Sequence, residues 1–157
     1  MSAEAVLITL LNDSETVSWG GKIAQAIKKG GVIYLCGELG AGKTTLCRGI
    51  LRAYGHKGAV KSPTYTIIEP YELEGVNVYH FDLYRMIDPE EWEYLGVDDY
   101  FSPENICLVE WPDKGADYLP ACDVTISLQY LNEGRTMKVS AYSHRGLEIL
   151  QELNTLE

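Results

Sequence analysis

The octapeptide Gly37-Glu38-Leu39-Gly40-Ala41-Gly42-Lys43-Thr44 leaves this chain few ways to fold. It fits G-x-x-x-x-G-K-[ST] and lies between a short, almost wholly apolar run at 32–36 and a segment at 43–54 that reads as a helix ended by Gly55. Each position has its own physical reason. Glycines let backbone N–H groups turn inward around anionic oxygens without Cβ clashes, and the N-terminus of the helix adds the positive end of its dipole. Lys43 is placed to reach β and γ phosphates as a point charge, the Thr44 hydroxyl to ligate Mg2+, and Thr45 to assist near the α-phosphate.

The rest of the chain alternates strands and helices. Residues 6–11 read as a strand, and Asn12-Asp13-Ser14 offers N-cap oxygens to a helix over 14–29, which Gly30-Gly31 stops. Residues 64–72 and 76–82 are β-rich and joined through Leu73-Glu74-Gly75 as a hairpin. Asp88-Pro89-Glu90-Glu91 starts a helix with Asp88 as N-cap, and 106–110 is a second buried strand. Residues 124–130 and 136–142 form another hairpin around Asn132-Glu133-Gly134, and a short helix is expected near 147–153. No repeat, low-complexity tract or Pro/Ser-rich linker divides the 157 residues, so one domain over 1–157 is expected, large enough to bury a core. The fold class implied is α/β: a single-domain P-loop NTPase with a mixed parallel and antiparallel central sheet flanked by helices.

Composition narrows the function classes. Cys36, Cys47, Cys107 and Cys122 lie far apart with no C-x-x-C pair and no His at ligand spacing, which predicts buried reduced thiols rather than zinc or redox chemistry. Residues 6–11 are the one apolar run near the start, with Glu4 ahead of it and no cationic region, so neither a signal peptide nor a membrane span is indicated and a cytoplasmic protein is expected. The net charge of −10 is uneven: residues 1–61 carry 8 Lys/Arg against 4 Asp/Glu, and residues 62–157 carry 5 against 19. From Glu69 to Glu104 eleven carboxylates meet one cation, Arg85. Such a surface repels a nucleic-acid backbone, which argues against direct, tight binding of RNA or DNA and suits a basic partner protein.

A P-loop ATPase needs an acid at the end of a strand beside the loop strand, and two segments supply one. Val78-Tyr79-His80-Phe81-Asp82 and Ile106-Cys107-Leu108-Val109-Glu110 both end apolar runs in a carboxylate, and pattern alone does not rank them. Ser62-Pro63-Thr64 follows the loop helix after a glycine-rich connection, where the Thr64 hydroxyl would sense a γ-phosphate as a switch loop does. Trp111, directly after Glu110, is placed to lie over an adenine ring.

Taken in order and spacing, residues 37–45 (GELGAGKTT), Ser62-Pro63-Thr64-Tyr65, His80-Phe81-Asp82-Leu83-Tyr84-Arg85 and Glu110-Trp111-Pro112 resemble the TsaE (YjeE) family, a small bacterial ATPase required for threonylcarbamoyladenosine formation on tRNA. The resemblance implies ATP or ADP with Mg2+ as ligands. Thr44 and Glu110 would hold the metal, while Gly37, Glu38, Leu39, Gly40, Ala41, Gly42 and Lys43 would wrap the phosphates. Lys43, Thr64, Asp82 and Glu110 would be the catalytic set, with Thr64 as the switch and Asp82 as the Walker-B-like acid. Trp111 would lie near the base, and Thr16 and Arg135 would border the nucleotide. The family pattern E-W-P-E ends here in Asp113 instead. The implied partners are the TsaD and TsaB proteins, so that tRNA is met only through them, and ATP hydrolysis would reset that complex between turnovers.

Two other readings fit a P-loop of this size. A small-molecule kinase generally needs several cations around the transferred phosphoryl group, and beyond residue 61 the sequence has only Arg85, Lys114, Arg135, Lys138 and Arg145. The other is a nucleotide-loaded binding module that does not hydrolyse in its cycle. A GTPase is disfavoured because no N-K-x-D segment is present.

Overall fold

The computed structural model describes residues 4–38, 40–60, 67–73, 75–131 and 134–156. Its elements are β1 (Ala5–Leu10), α1 (Asp13–Ile27), β2 (Gly31–Cys36), α2 (Lys43–Ala53), β3 (Ile68–Leu73), β4 (Val76–Asp82), α3 (Glu91–Tyr94), β5 (Ile106–Glu110), β6 (Val124–Leu131), β7 (Gly134–Ala141) and α4 (His144–Leu156). Seven strands form one sheet in the order β1-β7-β6-β2-β5-β4-β3. Strands β6, β2, β5 and β4 run parallel, while β3 and β7 pair antiparallel with their neighbours. The mixed sheet expected from sequence is therefore present.

Alternation along the central strands sorts side chains onto two faces. On β5, Ile106 and Leu108 join the core under α1, α2 and α4, with Ile27, Leu46, Ile50 and Leu150. Cys107 and Val109 point the other way and join Phe81, Leu83, Met86 and Trp92 in a second core. All five β5 residues are buried, which is why that run is so uniformly apolar.

Local chemistry sets the helix limits. Asn12 caps α1 by accepting from the Glu15 N–H at 2.9 Å, so the helix starts one residue earlier than expected. At its far end the Arg145 guanidinium donates to the Ala26 and Gly30 carbonyls, a long-range cap that no local pattern announces. Helix α2 crosses α1 at backbone contact: a Cβ on Gly49 would stand 2.5 Å from the Val17 carbonyl oxygen. That crossing holds the glycine-rich loop against the sheet.

Four expectations are corrected. The helix expected to start from an Asp88 N-cap is a single turn that starts at Glu91 with Glu90 in the cap position: Glu91 Oε2 still accepts from the Asp88 N–H at 3.0 Å, one half of a capping box, and Gly96, at φ 64°, breaks the path after Leu95. Strand β3 begins at Ile68 rather than 64; Ile67 has φ 70°, incompatible with a strand, and 61–66 lie outside the described residues. Helix α4 is longer than the short one expected, because Ser143 caps it and Asp123 holds Ser143. Of the four unpaired cysteines, Cys47 and Cys107 are buried as expected, but Cys36 and Cys122 are half-exposed at strand margins. Burial pushes the Cys107 thiol up to about 12.

Candidate functional site

Sheet register assembles the site before any side chain is considered. Strand β2 lies between β5 and β6, and Leu35 is opposite Glu110, which is in turn opposite Asp82. Two carboxylates thus end adjacent strands beside the loop that leaves β2. This is the carboxyl edge of the parallel sheet, where α/β folds place their ligands. Both acids line one cavity of about 390 Å³ together with Lys43, Thr44, Trp111 and Arg135.

The loop is shaped by close approach as well as by turning. Gly37 has φ 147°, and a Cβ there would meet the Leu128 carbonyl oxygen at 2.7 Å. Gly42 precedes α2 with φ 106°, and a Cβ there would press on the Arg135 guanidinium at 3.0 Å. Gly40 and Thr45 also line the cavity; Glu38 instead lines a smaller recess of about 280 Å³ beneath Trp111, while buried Ala41 packs into the core. Leu39 and Thr64 lie outside the described residues.

Lys43 is buried and fully engaged. Its Nζ donates to the Gly37 carbonyl at 2.6 Å, lies 4.0 Å from the centre of the Trp111 ring, and is 3.9 Å from Glu110 Oε1. Burial pushes its ammonium down from its ordinary value, against the pull of Glu110 and Asp82. Trp111 takes this position through a left-handed backbone turn, φ 56°, and its other neighbour is Tyr84, 5.0 Å between ring centres. The Tyr84 N–H donates to Asp82 Oδ1 at 3.0 Å.

Arg135 also lines the cavity, beside Gly42. Its Nη2 is 2.6 Å from Asp13 Oδ1 and its Nη1 donates to Thr16 Oγ1 at 3.0 Å. The β1–β7 register, Leu10 opposite Arg135, brings the start of α1 to this residue. Thr16 is wholly buried and meets the cavity only through Arg135. Asp13 and Tyr84 also line the cavity, although the sequence marked them only as an N-cap candidate and as part of a motif.

His80 entered the sequence reading only as part of a strand and of the family motif, with no role of its own. It is fully buried, its Nε2 2.6 Å from Glu110 Oε2 and 3.7 Å from Cys47 Sγ. Burial opposes its charge, but Cys47 and Glu110 outweigh that and push its pKa up to about 10. The strand alternation Val78-His80-Asp82 was the available signal, since it puts His80 on the face of Asp82. Cys47, His80 and Glu110 converge closely enough to suggest a metal. The geometry favours hydrogen bonding: two ligands of one tetrahedral zinc lie about 3.3 Å apart, given bonds of about 2.0 Å, and a ligating His donates its other N–H, whereas His80 Nδ1 has no partner. The oxygen set at the cavity, the Thr44 hydroxyl with the Glu110 and Asp82 carboxylates, is the hard-donor type that suits Mg2+.

Among the described residues no helix is long and apolar enough to cross a membrane. Comparison with known proteins adds a family. The model described as threonylcarbamoyl adenosine biosynthesis protein TsaE matches residues 10–138. The tRNA threonylcarbamoyladenosine biosynthesis protein TsaE of Haemophilus influenzae is 45% identical over 137 residues, 84% of this chain and 87% of that one. Its counterpart from Bacillus subtilis is 37% identical over 145 residues, 92% and 90%. The crystal structure of Bacillus subtilis YdiB superposes with a TM-score of 0.85 at 29% identity, covering 99% of this chain and 98% of that one.

Proposed function

The chain belongs to the TsaE family, and from that premise we propose that it is an ATP-binding and ATP-hydrolysing component of the machinery that forms threonylcarbamoyladenosine on tRNA, acting in the cytoplasm through TsaD and TsaB. One observation carries the catalytic half of this reading: the N-terminus of α2, Lys43, Thr44 and two strand-end carboxylates all face one cavity.

The residues divide the work by chemistry. Backbone N–H groups of the loop and the start of α2 bind phosphate oxygens, and Lys43 adds its charge once it leaves the Gly37 carbonyl and the Trp111 ring. Thr44 and Glu110 would hold Mg2+, which when bound neutralises charge on the phosphates. Asp82, one strand further out and pinned by the Tyr84 N–H, orients the attacking water. Trp111 and Arg135 bound the nucleotide on two sides, with Thr16 bracing Arg135. The cavity's cations among the described residues are Lys43 and Arg135, and Arg135 is committed to Asp13, which leaves little to hold a second phosphoryl acceptor and disfavours the kinase.

The test is reconstitution: tRNA modification by TsaD and TsaB is followed over many turnovers with and without this chain, and phosphate release is measured in the same samples. Sustained turnover only with the chain, coupled to phosphate release, is expected. Turnover that is indifferent to the chain would end this reading, and turnover without phosphate release would favour the non-hydrolysing module.

A further inference from the structure

Sheet register puts His80 opposite Leu108, so Glu110 is its diagonal neighbour on the same face, with Cys47 of α2 above both. The Glu110 carboxylate is almost wholly buried, and its two oxygens have different partners. Oε2 accepts from His80 Nε2 at 2.6 Å, and Oε1 faces Lys43 at 3.9 Å on the cavity side. A buried carboxylate left to itself would rotate to satisfy whichever donor is nearest, Lys43 included.

We infer that His80 is a positioning residue for Glu110: by holding Oε2 it fixes the carboxylate plane and leaves Oε1 turned to the cavity as the oxygen offered to a divalent cation. The inference rests on the magnesium role proposed for Glu110 and deepens it. Outer partners of this kind set the orientation and basicity of a metal-binding group, and their loss typically costs about 10- to 100-fold in metal affinity. Nothing in the role requires His80 to touch the nucleotide.

The probes are ADP and magnesium, followed by calorimetric titration of ADP with Mg2+ or with EDTA. In His80→Leu the gain in ADP affinity that magnesium confers falls by about 10- to 100-fold, while affinity in EDTA is unchanged. In His80→Gln, which keeps a donor near the Nε2 position, most of that gain returns. A folded His80→Leu protein with the wild-type magnesium gain overturns the inference. Glu110→Gln separates the layers: if it loses the gain and His80→Leu does not, only the positioning role fails; if Glu110→Gln also keeps it, the magnesium role fails with it. Should His80→Leu not fold, nitrogen NMR of the wild-type imidazole decides. Adding Mg2+ to the ADP-loaded protein shifts the Nε2 resonance, and an unmoved signal overturns the proposal.

Discussion

At the scale of single residues, Lys43 and Trp111 are in contact with each other at the edge of the cavity. Lys43 rests on the face of Trp111 and donates to the Gly37 carbonyl. A partly desolvated cation–π contact is worth about 0.5–2 kcal/mol, small enough for a triphosphate to displace. ADP binding should therefore change Trp111 emission as the ammonium leaves the ring. Trp111→Phe should abolish the change, since Trp19 and Trp92 lie elsewhere; an unaltered spectrum in the native chain would count against this account. Lys43→Ala should lose detectable ADP binding by calorimetry, and ordinary affinity in that variant would remove the loop from the site altogether.

Elements are fixed by contacts of different reach. Where α1 and α2 cross, two glycines, Gly20 and Gly49, bring the backbones together, and any side chain at 49 must push the loop helix away from α1. Gly49→Val should cost about 1–3 kcal/mol, read as a lowered urea midpoint; an unmoved midpoint would mean the crossing is softer than its geometry. The start of α4 is a polar chain, Gly146 N–H to Ser143 Oγ at 2.9 Å and Ser143 to Asp123 Oδ1 at 2.6 Å. Asp123 also accepts from the Val32 N–H at 2.8 Å, so the cap is tied to the loop strand. Ser143→Ala should cost about 1 kcal/mol in the same assay, and a neutral result would assign the cap to Asp123 alone.

Charge is unevenly spread over the surface of the molecule. The end of α1, helix α2 and the turn after α2 expose Lys28, Lys29, Arg48, Arg52 and Lys57, whereas the segment over the second core exposes Glu90, Glu91, Glu93, Asp98 and Asp99. In the acidic segment Ile87 and Tyr94 are 94% and 85% exposed, apolar groups set among carboxylates. This side suits a basic protein surface, the partner class anticipated from charge. Changing Glu93, Asp98 and Asp99 to Lys should weaken capture by the proposed TsaD–TsaB partner at low salt and leave ADP affinity of the isolated chain unchanged. Equal capture by the variant would move the docking face elsewhere.

Residues 37–45 determined from sequence alone that a strand, a tight loop and a helix follow one another, because a phosphate nest needs all three and the glycine spacing is local chemistry. The apolar runs ending at Asp82 and Glu110 were equally legible, since burial on both faces leaves no room for alternation. Their order in space was not: only pairing with β2 sets Glu110 next to the loop strand and Asp82 one strand out. Tertiary structure alone brought Asp13 and Thr16 to Arg135, 119 residues apart for the latter pair, and His80 to Glu110. The reason is physical: periodicity reports which face a residue occupies, while a hydrogen bond between strands depends on register, and register is decided by the packed sheet.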